Sequence, residues 1–228
     1  MSWRFRYQHP SLWGFQAKRA LDYGCGNLPR NPFMAQELYF ADVLDLDELE
    51  FESDKERFGD PISSVRYRKI TRFEPMPFEN NFFNVVTAFD VLEHLSREPR
   101  VGANEFISVL NDIHRVLAPG GIFLALTPAF PSSAAFQDPT HVNIITTFTS
   151  HYFIGQHAPA KLMGYGLNAH FDLVSQFWNM PFSQIASEYP ENLTYRGLKT
   201  LTSIPKLRRF ISGLRKPTHF VWIFRKPH

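Results

Sequence analysis

The sequence predicts one α/β domain built on a mostly parallel β-sheet. Short apolar segments rich in β-branched and aromatic residues recur between turn residues, and helical or loop-like sequence separates them. This alternation is typical of strands joined by crossovers, which pair in parallel. A length of 228 residues with 44% hydrophobic residues is enough for one well-buried domain and short for two. We therefore expect residues 1–228 to form a single domain.

Five strands are predicted in the first 130 residues. Each is an apolar run that ends at glycine, proline or a polar turn residue. They cover residues 20–23, 37–42, 65–70, 84–89 and 121–127.

A helix is predicted over residues 103–117, before the fifth strand. Phe106, Ile107, Leu110 and Ile113 fall on one face of a 3.6-residue period. Pro119 and the two glycines after it are expected to stop the helix.

The pattern changes after the fifth strand. Residues 128–165 read as a polar loop region that we assign to the substrate. Two further strands are predicted at residues 171–178 and 218–225, and an antiparallel addition to the sheet is expected there. The segment 179–217 between them is too long for a simple connection and is interpreted as a helical insertion or cap.

A glycine-containing turn follows the first strand. Asp22, Gly24, Cys25 and Gly26 stand where a strand gives way to a loop, so a ligand can approach the backbone closely. Asp42 ends the next strand, where a carboxylate can accept hydrogen bonds from ribose hydroxyls. These two features alone also describe dinucleotide-binding domains.

Further motifs make the pattern more specific. In chain order they are Met76-Pro77-Phe78, then residues 81–86, then Val91-Leu92-Glu93-His94-Leu95, then residues 115–121. Together with the glycine turn, they resemble the class I S-adenosylmethionine-dependent methyltransferase family over about residues 18–130. The resemblance implies a Rossmann-like fold: a mostly parallel seven-stranded sheet with an antiparallel last strand and helices on both faces. It also implies S-adenosylmethionine as the cofactor.

The resemblance assigns roles to matching residues. Residues near the first motif would surround the methionine moiety, Asp42 would bind ribose, and the stretch after the third strand would contact adenine. The end of the fourth strand would lie beside the sulfonium and the acceptor, and His94 belongs to the family's Glu-His pair, although a structural role for it is the simpler interpretation. The cofactor-binding candidates are Asp22, Gly24, Cys25, Gly26, Asp42, Phe73, Glu74, Met76, Phe89, Asp90 and His94.

Two departures from the family pattern stand out. Residues 27–32 contain two prolines where many members have a third glycine, so this loop must follow a different course. Thr71 and Arg72 stand where many members place an adenine-binding aspartate, which leaves Glu74 as the nearby carboxylate.

The acceptor side is predicted from the loop after the fifth strand. His141 is the candidate general base, because a hydroxyl acceptor must lose its proton during methyl transfer. Asp138 is the candidate for orienting its imidazole. The alternative is that Asp138-Pro139 starts a turn and that His141 only packs or caps.

The methyl acceptor is expected to be a small molecule or a carbohydrate, with O-methylation favoured. Residues 128–145 resemble a run in bacterial methyltransferases of this class, some of them associated with surface sugars. The Asn/Asp-Pro-Pro-aromatic tetrapeptide of many amino-group methyltransferases does not follow the fourth strand, where Phe89-Asp90-Val91-Leu92 stands instead.

Charge is distributed unevenly, although the net charge is only +2. Residues 41–60 contain nine acids, whereas residues 196–228 contain nine bases and no acid. The basic tail suggests an anionic acceptor or peripheral membrane contact, and a solvated face explains it equally well. A nucleic-acid partner is not expected, because no recognisable binding module accompanies the tail.

Other classes of protein are disfavoured. No apolar run is long enough to cross a membrane, and the single cysteine, Cys25, fits a reducing compartment, so a cytoplasmic protein is expected. No pair of histidines has zinc-binding spacing, so the sequence predicts no metal site. Two alternatives remain: an NAD-dependent oxidoreductase or epimerase, and a catalytically silent S-adenosylmethionine-binding regulatory subunit.

Overall fold

The computed structural model describes residues 17–48, 58, 62–100, 102–179 and 217–228. Its strands are β1 (Arg19–Tyr23), β2 (Glu37–Asp42), β3 (Ser64–Lys69), β4 (Phe83–Phe89), β5 (Pro99–Arg100), β6 (Ala103–Asn104), β7 (Leu117–Pro128), β8 (Asp172–Asn179) and β9 (His219–Arg225). Its helices are α1 (Glu105–Val116), α2 (Ala134–Gln137) and α3 (Pro159–Leu162), with 3₁₀ turns at Leu92–His94 and Thr149–Tyr152.

Seven of these strands form one sheet in the order β3-β2-β1-β4-β7-β9-β8. The first five are parallel neighbours, and β9 runs antiparallel to both β7 and β8. The predicted mostly parallel seven-stranded sheet with an antiparallel last strand is confirmed. All five early strands and both late strands lie within a few residues of their predicted positions.

The central strands of the sheet are buried on both faces. On β4, Val86 and Ala88 pack in a core that contains α1, whereas Val85 packs with Ile122 and Leu124 of β7 on the opposite face. Strands buried on both sides carry few polar positions. This is why they stand out in the sequence as nearly continuous apolar runs.

Helix α1 covers one face of the sheet. The Asn104 side chain caps it by accepting a hydrogen bond from the Ile107 backbone N–H at 2.9 Å. Phe106, Ile107, Leu110 and Ile113 are buried, as their spacing predicts. The helix is shorter than predicted. Ala103 and Asn104 form β6, and the backbone of Leu117 is extended and begins β7.

The connection between β1 and β2 differs from a regular strand-helix-strand unit. Residues 24–36 contain turns and no helix. Pro29 and Pro32 each lack a backbone N–H, which disfavours a continuous helix. Asn31 shapes the loop instead: its side chain accepts from the Ala35 N–H at 2.8 Å and donates to the Ala35 carbonyl at 3.1 Å.

Some predictions concern parts of the chain beyond the described residues. Most of the expected helical insertion at 179–217 lies there, together with seven of the nine bases of the tail. Of the two described bases, Lys226 donates its Nζ to Asn81 and to two backbone carbonyls, so it is part of the packing. Among the helices that the structure describes, none is long and apolar enough to cross a bilayer.

Truncating Leu110 tests how much the contact between α1 and the sheet contributes. This side chain is 0% exposed, so Leu110→Ala should lower the free energy of unfolding by about 3 kcal/mol. Leu162→Ala, at a position 73% exposed, should change it by less than about 0.5 kcal/mol. Urea denaturation measures both, and equal effects would contradict the packing described for α1.

Candidate active site

A cleft of about 230 Å³ opens where β1, β2 and β4 end. Ligands of open parallel sheets bind at this carboxyl edge. Four predicted site residues line the cleft: Gly24, Asp42, Asp90 and His94. The other residues of its lining are Tyr23, Val43, Ile70, Arg72, Val91, Leu95 and Glu105.

Asp22 lies behind the cleft rather than in it. Its carboxylate is 1% exposed and accepts hydrogen bonds from the Thr87 hydroxyl on β4 and the Arg30 backbone N–H, both at 2.8 Å. Burial raises the pKa of this carboxyl to about 6, against the opposing effect of Arg30. Asp22 therefore holds the β1–β2 loop in place and supports the cofactor edge indirectly.

Asp42 joins the end of β2 to the glycine turn. One carboxylate oxygen accepts from the Gly26 N–H at 2.8 Å, and the other accepts from the Leu44 N–H at 3.1 Å. A carboxylate has about four acceptor positions, so two remain for ribose hydroxyls. The geometry is compatible with the predicted ribose contact.

Gly24 is a position that only glycine fits. Its φ is +69°, and its N–H donates to the Ala41 carbonyl at 2.7 Å. A Cβ placed there would lie 2.4 Å from Cγ2 of Val91. The glycine therefore allows the loop to pass close to the start of the turn that follows β4.

Cys25 and Phe89 are buried beside the cleft. Both belong to the core on the face opposite α1, and the Arg30 guanidinium lies 5.2 Å from the centre of the Phe89 ring. Burial raises the pKa of the Cys25 thiol, and its Sγ contacts the Gly26 carbonyl. These two side chains shape the loop from behind.

The three predicted adenine contacts line a second, adjoining cleft of about 310 Å³. It shares Tyr23, Ile70 and Glu105 with the first cleft. Phe73 and Glu74 are accessible there, whereas Met76 is 4% exposed and packs in the core. Gly24 and Asp42 line the first cleft and are not part of the lining of the second.

Arg72 occupies the place of the missing adenine aspartate and has a partner of its own. Its guanidinium makes a bidentate contact with the buried Glu105 carboxylate, at 2.8 and 2.6 Å. Glu105 also accepts from the Ser96 N–H at 2.6 Å. This fixed pair forms part of the cleft wall at the first turn of α1, which the sequence patterns did not indicate.

Asp90 meets a residue that the sequence patterns did not single out. The backbone of Asp90 has φ +56°, and its Oδ1 lies 3.1 Å from Nε2 of His219, a close contact without hydrogen-bond geometry. The His219 Nδ1 contacts the Thr218 hydroxyl at 2.8 Å. Because β9 is antiparallel, its first residue reaches the same edge at which β4 ends.

The rings of His94 and His141 lie side by side, and the buried Glu93 side chain lies next to His141. Their ring centres are 4.8 Å apart in an edge-to-face arrangement, and the His141 Nε2 lies 4.0 Å from Oε1 of Glu93. Burial raises the pKa of Glu93 to about 8, and burial together with the nearby His141 lowers the pKa of His94. Glu93 belongs to the Glu-His pair of the sequence motif, but only the fold shows that its carboxylate turns toward His141.

The predicted pairing of Asp138 with the His141 imidazole is not what the structure shows. The exposed Asp138 carboxylate binds the Thr140 hydroxyl at 2.6 Å and the Thr140 N–H at 2.8 Å, which holds the pKa of Asp138 below its usual value. A carboxylate two residues before a hydroxyl closes a local turn of this kind readily. The acid nearest to the His141 ring nitrogen is Glu93 instead.

Comparison with known proteins agrees with this architecture. Residues 21–125 match the family model described as a methyltransferase domain, a stretch that includes all eleven residues that line the first cleft. The sequence has no significant match among curated proteins.

Several solved structures share the fold. A putative methyltransferase of Haloferax volcanii, solved with its Trm112 activator, aligns over 93% of this chain and 84% of its own, with a TM-score of 0.52 and 12% identity. A putative sarcosine dimethylglycine methyltransferase of Galdieria sulphuraria gives a TM-score of 0.51 at 15% identity over 93% and 80% of the two chains. The [4+2]-cyclase SpnF gives 0.51 at 17% over 93% and 76%. At such identities the likeness establishes the fold alone.

The strand order, the cleft at the carboxyl edge and the family match lead to one class. The match over residues 21–125 and the strand order support a methyltransferase of the Rossmann-like fold, with S-adenosylmethionine as its cofactor. The antiparallel β9 and this match disfavour the NAD-dependent alternative.

Gly24→Ala should weaken S-adenosylmethionine binding by about tenfold or more, because the new Cβ would displace Val91 and disfavour the positive φ. Gly164→Ala is the matched control, since Gly164 has φ +70° and nothing lies within 4 Å of the position that a Cβ would take there. Isothermal titration should show unchanged affinity for the control. Equal affinities for all three proteins would contradict the close approach at Gly24.

Asp22→Asn should change how stability depends on pH. Because burial raises the carboxyl pKa from 3.8 to about 6, the fold favours the protonated acid: this contribution is fully present below about pH 4 and is lost as pH rises through about 6. As pH rises from about 4 to 8, wild type should lose on the order of 3 kcal/mol of unfolding free energy through this carboxyl, and the variant should not.

Denaturant unfolding at several pH values tests this expectation. Glu79→Gln, at an exposed position, serves as the control and should follow the wild-type pH dependence. Parallel curves for Asp22→Asn and wild type would show that this carboxyl does not titrate between the two pH values.

Proposed function

We propose that this methyltransferase transfers the methyl group to a hydroxyl oxygen of a small-molecule or carbohydrate acceptor. The acceptor oxygen loses a proton, the new O–CH₃ bond forms as the sulfonium C–S bond breaks, and S-adenosylhomocysteine leaves. The main task of the protein is to align the two reactants and exclude water. Removal of the hydroxyl proton is the one step that needs a specific group.

The observation that carries the proposal is the group of proton acceptors beside the cleft. His94 lines the cleft, and the His141 ring packs against the His94 ring. In each imidazole the contact made by Nδ1 leaves Nε2 without a hydrogen bond among the described residues. The free Nε2 of a neutral imidazole can accept the hydroxyl proton, and His141 is the candidate general base.

The cofactor is proposed to lie along the first cleft. Asp42 would bind the ribose, Gly24 and Gly26 would approach the methionine moiety through their backbone, and Asp90 would stand near the sulfonium. Val43, Ile70 and Leu95 line the same cleft and offer apolar surface for adenine. The buried side chains of Asp22, Cys25 and Phe89 would hold the residues around this cleft in place. Phe73 and Glu74 line the adjoining cleft and would extend the cofactor site there.

The type of acceptor is tested by screening after the cofactor is confirmed. Titration with S-adenosylmethionine, S-adenosylhomocysteine and NAD should give binding of the two adenosyl compounds only. S-adenosylhomocysteine release is then followed with sugars, nucleotide-linked sugars and phenols, and with matched amines. Transfer to amines alone would overturn the proposed hydroxyl acceptor.

His141→Ala should lower turnover with such an acceptor by about 100-fold or more and should leave S-adenosylmethionine affinity within about twofold of wild type. The control is His157→Ala, an exposed histidine of the same loop region, which should retain full activity. Unchanged turnover in His141→Ala would remove this residue from the mechanism.

A further inference from the structure

Three potential metal ligands converge beside the cleft. Glu93 and His94 come from the 3₁₀ turn after β4, and His141 comes from the loop after β7. One ligand atom of each lies within 4.8 Å of the other two. The side chains of His141 and Glu93 are only 8% and 1% exposed.

Both imidazoles are held in the form that a metal ligand needs. The Thr140 hydroxyl gives its proton to Asp138 at 2.6 Å, so at 2.9 Å it accepts from Nδ1 of His94. The Nδ1 of His141 lies 3.3 Å from the Ala135 carbonyl, which can only accept. Each ring therefore carries its proton on Nδ1 and offers the Nε2 lone pair.

The carboxylate of Glu93 is fixed in a similar way. Its Oε2 accepts from the Thr127 hydroxyl at 2.9 Å. Its Oε1 is buried and has no hydrogen-bond partner among the described residues. A buried oxygen of this kind calls for a cation or a donor nearby.

No direct hydrogen bond supplies that partner within the part of the chain that the structure describes. The 4.0 Å between the His141 Nε2 and the Glu93 Oε1 exceeds hydrogen-bond reach. Ligand atoms bound to one ion at about 2.0–2.2 Å lie roughly 3.3–3.5 Å apart, so shifts of about 1 Å would bring the three groups around an ion. The spacing suits a shared cation better than a shared proton.

The scaffold holds the two segments against each other. Asn143 donates its side-chain amide to the Leu92 and Leu95 carbonyls at 2.9 and 2.6 Å. The backbone N–H groups of Val142 and Asn143 both donate to the Glu93 carbonyl, at 2.8 and 3.0 Å. These contacts position His141 beside the 3₁₀ turn, and such support is what keeps a ligand set in place.

We propose that Glu93, His94 and His141 bind a divalent transition-metal ion. Two imidazoles and one carboxylate favour zinc, manganese, iron or cobalt over magnesium and calcium, which prefer oxygen ligands. Three protein ligands leave positions open for an acceptor oxygen. The role of the ion rests on the proposed function: it would bind the acceptor hydroxyl and lower its pKa, so that the proton passes to water while His141 acts as a ligand instead of taking the proton itself.

Metal binding can be measured without any acceptor. Chelator-treated protein is titrated with Zn²⁺, Co²⁺ and Mg²⁺, and Co²⁺ binding is also followed by its visible absorption. We expect one equivalent of Zn²⁺ or Co²⁺ to bind with a Kd of about 1 μM or tighter and Mg²⁺ to bind far more weakly. His141→Ala and the isosteric Glu93→Gln should each weaken binding by about 100-fold, whereas His157→Ala should not change it.

The outcomes separate this proposal from the proposed function. Absence of Zn²⁺ and Co²⁺ binding, or stoichiometric binding that survives both substitutions, would overturn the metal site. Hydroxyl methylation at full rate in EDTA would overturn the role of the ion and leave the proposed function standing. Metal binding lost in both variants, together with transfer to amines alone, would support the site and overturn the hydroxyl acceptor.

Discussion

The buried carboxylate of Asp22 links the parts from which the cofactor edge is made. It lies one residue before the end of β1, accepts a hydrogen bond from Thr87 on the neighbouring β4, and holds the loop through the backbone N–H of Arg30. Without a helix in residues 24–36, this loop depends on such individual contacts rather than on a regular hydrogen-bond ladder. Contacts to β2 hold the other end of the loop: the Gly24 N–H donates to the Ala41 carbonyl, and the Gly26 N–H donates to the Asp42 carboxylate.

Much of the fold and of the cofactor edge could be predicted from the sequence. The central strands are buried on both faces, which leaves nearly unbroken apolar runs with clear ends. Gly24 was identifiable because the sharp turn after β1 requires a positive φ that glycine adopts freely. Asp42 was identifiable because a strand-ending acid at this spacing falls on the same edge of the sheet.

The acceptor side could be predicted only in part, because it depends on contacts between distant segments. His141 was selected by its position in a polar loop, yet its neighbouring acid is Glu93 on another turn, not the nearby Asp138. The position of His219 can be predicted only when the register of β9 against β7 is known. The pairing of Arg72 with Glu105 can be predicted only when the position of α1 is known. Local patterns carry no information about which side chains meet across such distances.

The insertion of β9 between β7 and β8 has a consequence for how the domain comes together during synthesis. Among the strands that the structure describes, β8 pairs with β9 alone, although β8 is made well before β9. Until residues 219–225 leave the ribosome, β8 and one edge of β7 both lack the strand that pairs with them in the described sheet. A nascent chain could therefore preassemble the β1–β4 half first, whereas the edge at which His219 meets Asp90 can be completed only after β9 has been made.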